Sequence, residues 1–219
     1  MIKAVLFDLD GTLLDTLGDI EANVNGMLRD NGYPEITTEQ TKAYIGDGAK
    51  KLVERALPAG TDRVDECYAY FKSRFEKSDN SRTVMFNGEK EALERLRACG
   101  LKLGVVTNKP HAATVRLIEK FFPADTFSFV RGDDGSFPCK PDPTLALYAA
   151  LTLRVAPAEC VFAGDGETDV KTALGAGMKG IACLWGYRTK TQLAAAGADV
   201  FAENFGDLEK IIGKFCQIY

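Results

Sequence analysis

The sequence lacks the features that mark a membrane-spanning, secreted or disulfide-rich protein. No uninterrupted apolar run approaches the ~18 residues of a membrane span. The N-terminus passes directly into a short apolar strand pattern, without the basic region and apolar core of a signal peptide. The six cysteines form no CxxC pair, and several lie in apolar segments, where free cysteine behaves as a small hydrophobe. We therefore expect reduced thiols and a cytoplasmic location.

Other missing features exclude whole classes of function. The 27 Lys and Arg against 31 Asp and Glu give a net charge of −4, which argues against general binding to nucleic acid or anionic membranes but not against a small anionic substrate. The only histidine is His111, no zinc-ligand cluster surrounds it, and no serine or cysteine nucleophile is indicated. The pattern Gly164-x-Gly166 lacks the third glycine of a dinucleotide site, since Asp169 stands there, and residues 46–51 lack the spacing of a P-loop.

What is present is a pattern of alternating strands and helices from Asn87 onwards. At 219 residues, with 46% hydrophobic content, the chain is long enough for one domain plus a smaller one. This alternation is typical of a doubly wound, Rossmann-like α/β fold, a parallel sheet with helices on both faces, which the first apolar run (Ala4–Phe7) must join. The predicted strands are Leu101–Val106, Phe127–Val130, Cys160–Ala163 and Ile181–Leu184, and the predicted helices are Glu89–Cys99, Ala112–Phe122, Pro143–Leu151, Thr168–Ala176 and Asp207–Phe215.

Between the first strand and this region the pattern is helical only. Helical spacing predicts Leu13–Gly32, and Thr37 with Gln40 forms a capping box that opens the next helix. The glycines of Tyr44–Gly48 interrupt it, and Ala49–Leu57 and then Val64–Phe75 continue the helical pattern. We expect a discontinuous α/β core of residues 1–15 and 81–219, with residues 16–80 inserted as an all-α helical cap domain.

The stretch Phe7-Asp8-Leu9-Asp10-Gly11-Thr12-Leu13 carries the first chemical signal. It leaves the first predicted strand at its carboxyl end, where open α/β sheets place their ligands. An Asp-Gly pair also makes an ordinary turn after a strand. Here, however, one aspartate side chain and one backbone carbonyl can face a cation while the second side chain stays free for proton transfer. Hard oxygen ligands suit Mg²⁺, and an ionised aspartate can attack phosphorus.

This stretch resembles the nucleophile motif of the haloacid dehalogenase-like phosphohydrolases, and further motifs follow in that family's order. Thr107-Asn108 resembles the second motif and Lys140-Pro141-x-Pro143 the third. The segment from Gly164 to Asp169, with Asp165 between them, resembles the fourth, although relatives commonly have serine where Gly166 stands. Lys109 and Lys171 are rival candidates for the cation that Lys140 supplies.

The resemblance implies a Mg²⁺-dependent phosphatase that forms an aspartyl-phosphate. In it, Asp8 is the nucleophile and Asp10 is the general acid and base. Thr107 and Lys140 neutralise the phosphoryl group. The implied metal ligands are Asp8, Asp10 and Asp165, supported by Asp169, and the implied substrate-binding residues are Gly11, Thr12, Thr107, Asn108 and Lys140.

The inserted segment is expected to select the substrate. Tyr44–Leu57 is similar to the cap loop and helix of phosphoglycolate phosphatases, so Gly46, Asp47 and Gly48 are expected to contact the substrate, with 2-phosphoglycolate as first candidate. The alternatives are a phosphatase for pyrophosphate, a nucleotide or another small metabolite, or a sugar-phosphate mutase, whose cap arginine is missing here. A non-catalytic binding module conflicts with the intact acidic motifs. The expected partner is a small anionic phosphate ester, without nucleic acid or membrane, and the chain is expected to be a monomer or weak homodimer.

Overall fold

A parallel six-stranded sheet forms the centre of the molecule. A computed structural model describes residues 1–216. The strands in chain order are β1 (Ala4–Phe7), β2 (Leu14–Asp15), β3 (Val84–Met85), β4 (Lys102–Pro110), β5 (Phe129–Asp133), β6 (Cys160–Gly164), β7 (Lys179–Cys183) and β8 (Phe201–Ala202). The order in the large sheet is β5-β4-β1-β6-β7-β8 with every neighbouring pair parallel, and β2 and β3 form a separate antiparallel pair. The predicted α/β fold with a doubly wound parallel sheet is confirmed.

Helices cover both faces of this sheet. They are α1 (Leu17–Asp30), α2 (Thr38–Tyr44), α3 (Ala49–Ala56), α4 (Val64–Lys77), α5 (Glu89–Ala98), α6 (His111–Phe121), α7 (Thr144–Thr152), α8 (Glu167–Ala176), α9 (Lys190–Ala195) and α10 (Phe205–Cys216). Leu93 on α5, Leu117 on α6 and Leu208 on α10 belong to the apolar core on one face of the sheet, and side chains of α7 and α8 belong to the apolar core on the other face. No helix within residues 1–216 has the length and apolarity needed to cross a membrane.

The central strand β1 is buried on both faces. Val5 and Phe7 pack into one apolar core, and Ala4 and Leu6 pack into the other. This double burial explains why the strand sequence is a continuous apolar run rather than an alternation of apolar and polar residues. Because β4 and β6 flank β1, the carboxyl ends of these three strands meet at one point of the sheet edge, where α/β proteins place their ligands.

The helices α1 to α4 form a layer with an apolar cluster of its own. The members include Val24 on α1, Leu52 on α3 and Phe71 on α4. The capping box of Thr37 and Gln40 at the start of α2 is confirmed. The boundaries of residues 16–80 as a separate cap domain remain a prediction.

The structure differs from the sequence-based expectation mainly at element ends. The first predicted helix begins at Leu17 rather than Leu13, because Leu14–Asp15 pairs with Val84–Met85 and joins the two chain segments that lead into and out of the helical insert. The pattern did not predict α9 or β8, which are six and two residues long.

Candidate active site

The sequence-predicted motifs come together at the carboxyl edge of β1, β4 and β6. Asp8 follows β1 directly, and its N–H donates to the carbonyl of Ala163 in β6 at 3.0 Å. Thr107 lies where the register of β4 with β5 shifts, between Val106 and Pro110. Asp165 follows β6. Chain segments that are far apart in sequence therefore contribute to one site.

Lys140 neutralises two carboxylates at the centre of this site. Its Nζ lies 2.6 Å from Oδ1 of Asp169 and 2.9 Å from Oδ1 of Asp8. The contact with Asp169 has hydrogen-bond geometry. The contact with Asp8 is an ion pair without that geometry, so Oδ1 of Asp8 accepts no hydrogen bond from the described residues. Burial disfavours the ammonium of Lys140, but the charges of Asp169 and Asp8 outweigh it and raise its pKa.

Three carboxylates lie close enough to bind one cation. Oxygen atoms of Asp8, Asp165 and Asp169 all lie within 4.8 Å of one another. Burial raises the pKa of Asp165 to about 8, and the negative charges of Asp169 and Asp8 add to that rise. Burial also raises the pKa of Asp169, against the opposing effect of Lys140. The raised pKa values reflect the cost of burying three carboxylates beside a single ammonium.

Asp165 is held in place through both of its oxygens. The hydroxyl of Thr12 donates to Oδ1 at 2.8 Å, and the N–H of Tyr187 donates to Oδ2 at 2.8 Å. The neighbouring Gly11 has φ +81°, and a Cβ there would collide with the Asp165 carboxylate. Thr12 and Gly11, which the sequence analysis assigned to substrate, thus contact Asp165 in the structure.

Asp10 has partners that the sequence did not indicate. Lys109 donates to both carboxylate oxygens, at 2.7 Å to Oδ1 and 3.0 Å to Oδ2, and Thr16 donates its hydroxyl to Oδ1 at 2.6 Å. Lys109, which the sequence analysis ranked as a rival to Lys140, therefore neutralises the second aspartate of the first motif. Lys171, the other rival, lies exposed on α8.

Asn108 connects the third motif to the helical insert. Its Oδ1 accepts a hydrogen bond from the N–H of Lys140 at 2.7 Å. Its Nδ2 donates to the carbonyl of Lys140 at 3.0 Å and to the carbonyl of Gly46 at 2.9 Å. The side chain of Asn108 therefore fixes the backbone that carries Lys140. It also holds the glycine-rich loop between α2 and α3 (residues 45–48) over the sheet edge.

Arg188, in the segment between β7 and α9, contacts the end of α2 and the start of the same loop. Its guanidinium donates to the carbonyls of Lys42 and Ile45, each at 2.6 Å, and to Glu167 at 2.9 Å. No motif in the sequence indicated this residue. Asp47 bonds instead to Arg55 within the helical insert.

A cavity of about 520 Å³, counting its open mouth, lies between the sheet edge and the helices of the insert. Asp8, Asp10, Thr107, Asn108 and Lys109 line the floor. The other lining residues are apolar side chains or glycines: Ile20, Ile45, Gly46, Gly48, Ala49, Leu52, Phe71, Phe75 and Pro110. The predicted residues Gly46 and Gly48 are therefore part of the cavity wall, and Asp47 is not.

The donor set fits a hard divalent cation. Asp8 offers an oxygen that accepts no hydrogen bond from the described residues, and Asp165 and Asp169 complete a cluster of carboxylates. Carboxylate oxygens without sulfur or imidazole ligands are what Mg²⁺ prefers.

Comparison with known proteins gives one consistent result. A family model described as haloacid dehalogenase-like hydrolase matches residues 5–183. The phosphoglycolate phosphatase of Xanthomonas campestris pv. campestris is 36% identical over 187 residues, which cover 85% of each chain. That of Nitrosospira multiformis is 32% identical over 219 residues, covering 97% of this chain and 96% of the relative. A solved structure from Lactobacillus delbrueckii subsp. bulgaricus, named provisionally as a phosphoglycolate phosphatase, has a TM-score of 0.89 at 30% identity and covers 96% of this chain and 98% of its own.

Proposed function

This chain belongs to the haloacid dehalogenase-like hydrolases, and we propose that it hydrolyses 2-phosphoglycolate with the help of Mg²⁺ and through a phosphorylated Asp8. It is a phosphoric monoester hydrolase that acts on small phosphate esters. The substrate, the metal and the residue roles are the proposal.

The observation that carries the mechanism is the environment of Asp8. Its carboxylate lines the cavity, and its buried Oδ1 lies 2.9 Å from the ammonium of Lys140. A nucleophilic carboxylate must be able to reach the substrate, and a nearby cation lowers its repulsion from an anionic phosphoryl group. Asp8 meets both requirements.

The proposed reaction has two displacements at phosphorus. An oxygen of Asp8 forms a bond to phosphorus as the ester P–O bond breaks, and Asp10 gives its proton to the departing alkoxide. In the second step Asp10 takes a proton from water as the water oxygen attacks the phosphoryl group and releases Asp8. Lys140 and the Thr107 hydroxyl offset the charge on the phosphoryl oxygens in both steps.

Asp8 and Asp165, together with the backbone carbonyl of Asp10, would hold the Mg²⁺, with Asp169 in support. The ion would neutralise the charge that gathers around the transferring phosphoryl group. The surplus of carboxylates over lysines in the cluster supports this assignment.

The cavity wall favours a compact leaving group. The insert contributes apolar side chains and glycines to the wall, which offer no side-chain hydrogen bonds to the several hydroxyls of a sugar. The loop that corresponds to the mutase arginine loop offers Gly48, Ala49 and Lys50, and the exposed Lys50 forms an ion pair with Asp65 at 2.7 Å. These features, with the names of the relatives, support 2-phosphoglycolate over a sugar phosphate. Pyrophosphate remains the second candidate, since it is also compact.

The proposal includes a cytoplasmic monomer or weak homodimer that acts without nucleic acid or membrane. These points follow from the composition and the family and stay predictions.

A phosphate-release screen tests the proposal. Purified protein with Mg²⁺ is given 2-phosphoglycolate, pyrophosphate, hexose phosphates and nucleotides at equal concentration. We expect the highest kcat/KM for 2-phosphoglycolate and no turnover by Asp8→Asn. A higher kcat/KM for another ester overturns the substrate, an intramolecular transfer product without free phosphate favours the mutase, and wild-type turnover by Asp8→Asn overturns the covalent mechanism.

A further inference from the structure

The cavity contains a single cation among its described lining residues. Lys140 contacts Asp8 and Asp169, on the side of the phosphoryl group, and does not line the cavity. Lys109 does line it, beside Asp10. Any negative charge on the leaving group therefore has Lys109 as its counter-charge there.

The position of the Lys109 ammonium is well defined. It donates to both oxygens of Asp10, at 2.7 and 3.0 Å, and lies 4.7 Å from the centre of the Phe75 ring. The side chain is only 3% exposed. An ammonium between a carboxylate and an aromatic face in a site of low solvent exposure interacts strongly with a second anion, because little water screens it.

Geometry relates this ammonium to the leaving group. The ester oxygen must approach Asp10, which protonates it in the proposed reaction. A carboxylate attached through one carbon is two bonds from that oxygen. A leaving group whose ester oxygen lies next to Asp10 therefore has its carboxylate beside the Lys109 ammonium, which contacts Asp10.

The charges that line the cavity also favour Lys109 as the partner of an anionic leaving group. Asp8 and Asp10 both face the cavity, so an anionic leaving group without a counter-charge would be repelled. The apolar wall formed by Ile20, Leu52 and Phe71 compensates no charge. Only Lys109 offsets this repulsion within the described lining.

We propose that Lys109 is a specificity-determining residue that binds a carboxylate on the leaving group, so that the cavity selects phosphate monoesters of small 2-hydroxy acids over neutral esters of the same shape. This inference rests on the proposed function as a phosphatase and specifies the chemical class that its site accepts. It assigns the two lysines different tasks, with Lys140 acting on the phosphoryl side and Lys109 on the leaving-group side.

The test compares esters that have the same number of heavy atoms and differ in charge. 2-Phosphoglycolate is paired with its primary amide, 2-phosphoglycolamide, and 2-phospholactate with its primary amide, 2-phospholactamide. For each pair, the ratio of kcat/KM values (acid over neutral ester) is measured in wild type, Lys109→Met and Lys109→Gln. The glutamine retains an N–H donor for Asp10 without the charge, and because both esters are measured on one variant, a general loss of Asp10 function cancels in the ratio.

We expect wild type to favour both acids and either Lys109 variant to lower the ratio by about 10- to 100-fold, the effect of one hydrogen bond to a charged group. The matched control is Lys72→Met, which removes an exposed lysine that lines the neighbouring cavity behind Phe71 and Phe75. Its ratio should stay at the wild-type value.

Other outcomes would contradict either the Lys109 subsite or the proposed substrate. An unchanged ratio in both Lys109 variants, an equal fall in Lys72→Met, or a wild type that does not prefer the acids overturns the subsite while the phosphatase activity stands. Phosphate release from other esters but from none of these four overturns it as well. If the acids are preferred in a Lys109-dependent way but another ester outranks 2-phosphoglycolate in the screen, the subsite stands and the proposed substrate fails.

Discussion

Lys140 and Asp169 form an ion pair of 2.6 Å in which each side chain is only 2% exposed. The same ammonium serves Asp8 at 2.9 Å. A buried charge that loses its only counter-charge is costly to the fold as well as to the reaction. We therefore expect the Lys140 side chain to contribute both to the stability of the fold and to catalysis.

Replacing Lys140 by methionine should lower both kcat/KM and the free energy of unfolding. We expect kcat/KM to fall by about 1,000-fold or more, in the range of other losses of charge stabilisation, and the free energy of unfolding to fall by about 3–5 kcal/mol. Phosphate release and urea titration measure the two effects. Lys171→Met, which removes an exposed lysine from α8, should change neither. Near-wild-type turnover by Lys140→Met would contradict the assigned role.

Removal of divalent metal should abolish turnover. Asp8, Asp165 and Asp169 place three carboxylates beside the single ammonium of Lys140, so we expect Mg²⁺ to bind the folded protein and raise its Tm. Asp165→Asn should lose this rise, and exposed Asp199→Asn should retain it. Protein treated with a chelator should regain phosphate release when Mg²⁺ is added. Full turnover in the presence of excess chelator would contradict the metal assignment.

The contact of Arg188 with the glycine-rich loop predicts a positioning role. Arg188→Gln removes charge-assisted hydrogen bonds to the carbonyls of Lys42 and Ile45. We expect kcat/KM to fall by about 10-fold or more and the amides of residues 42–48 to exchange hydrogen faster. Arg154→Gln, at an exposed position, is the control. Unchanged exchange in the loop would show that Arg188 does not hold it.

Glu89 predicts a pH dependence of stability that is separate from the active site. It is fully buried at the start of α5, and burial raises its pKa from the ordinary 4.5 to about 9, against the opposing N–H of Phe86. Between these values the folded state binds a proton that the unfolded state has lost. Its contribution to stability is therefore present below pH 4.5 and is lost as the pH rises towards 9.

Glu89→Gln should remove this dependence. Compared with wild type, the variant should be equally stable near pH 4.5 and more stable at pH 8, with the difference growing by at most about 1.4 kcal/mol per pH unit. Urea titrations at several pH values measure it, with exposed Glu91→Gln in the same helix as control. A variant that is less stable than wild type at pH 8 would contradict the protonated state of Glu89.

The sequence predicted the sheet and the convergence at its edge because both depend on local patterns. Apolar runs such as Ala4–Phe7 indicate buried strands, and parallel strands place their carboxyl ends at one edge. Asp8, Thr107 and Asp165 could therefore be brought together before the structure was known. The motif that carries Lys140 was identified by its resemblance to the family, since a Lys-Pro pair alone has little meaning.

The pairing of side chains could not be predicted in this way. Lys109 and Asp10 are 99 positions apart, and nothing in either local sequence indicates that they form an ion pair. Arg188 lies in a loop without periodicity, and the partners through which it contacts the insert are backbone carbonyls, which leave no trace in the sequence. The β2–β3 pair was missed because two-residue strands are too short to show alternation.

The central claim is that Asp8 forms a covalent bond to phosphorus, and the most direct test is to trap that bond. The enzyme is mixed with Mg²⁺ and a phosphate ester radiolabelled at phosphorus, the reaction is quenched in acid during the first turnover, and the labelled peptide is identified. The account predicts label on the peptide that contains Asp8, labile to hydroxylamine, and none in Asp8→Asn. Release of labelled phosphate at the wild-type rate with no label on the protein, or with label on another residue, would contradict it.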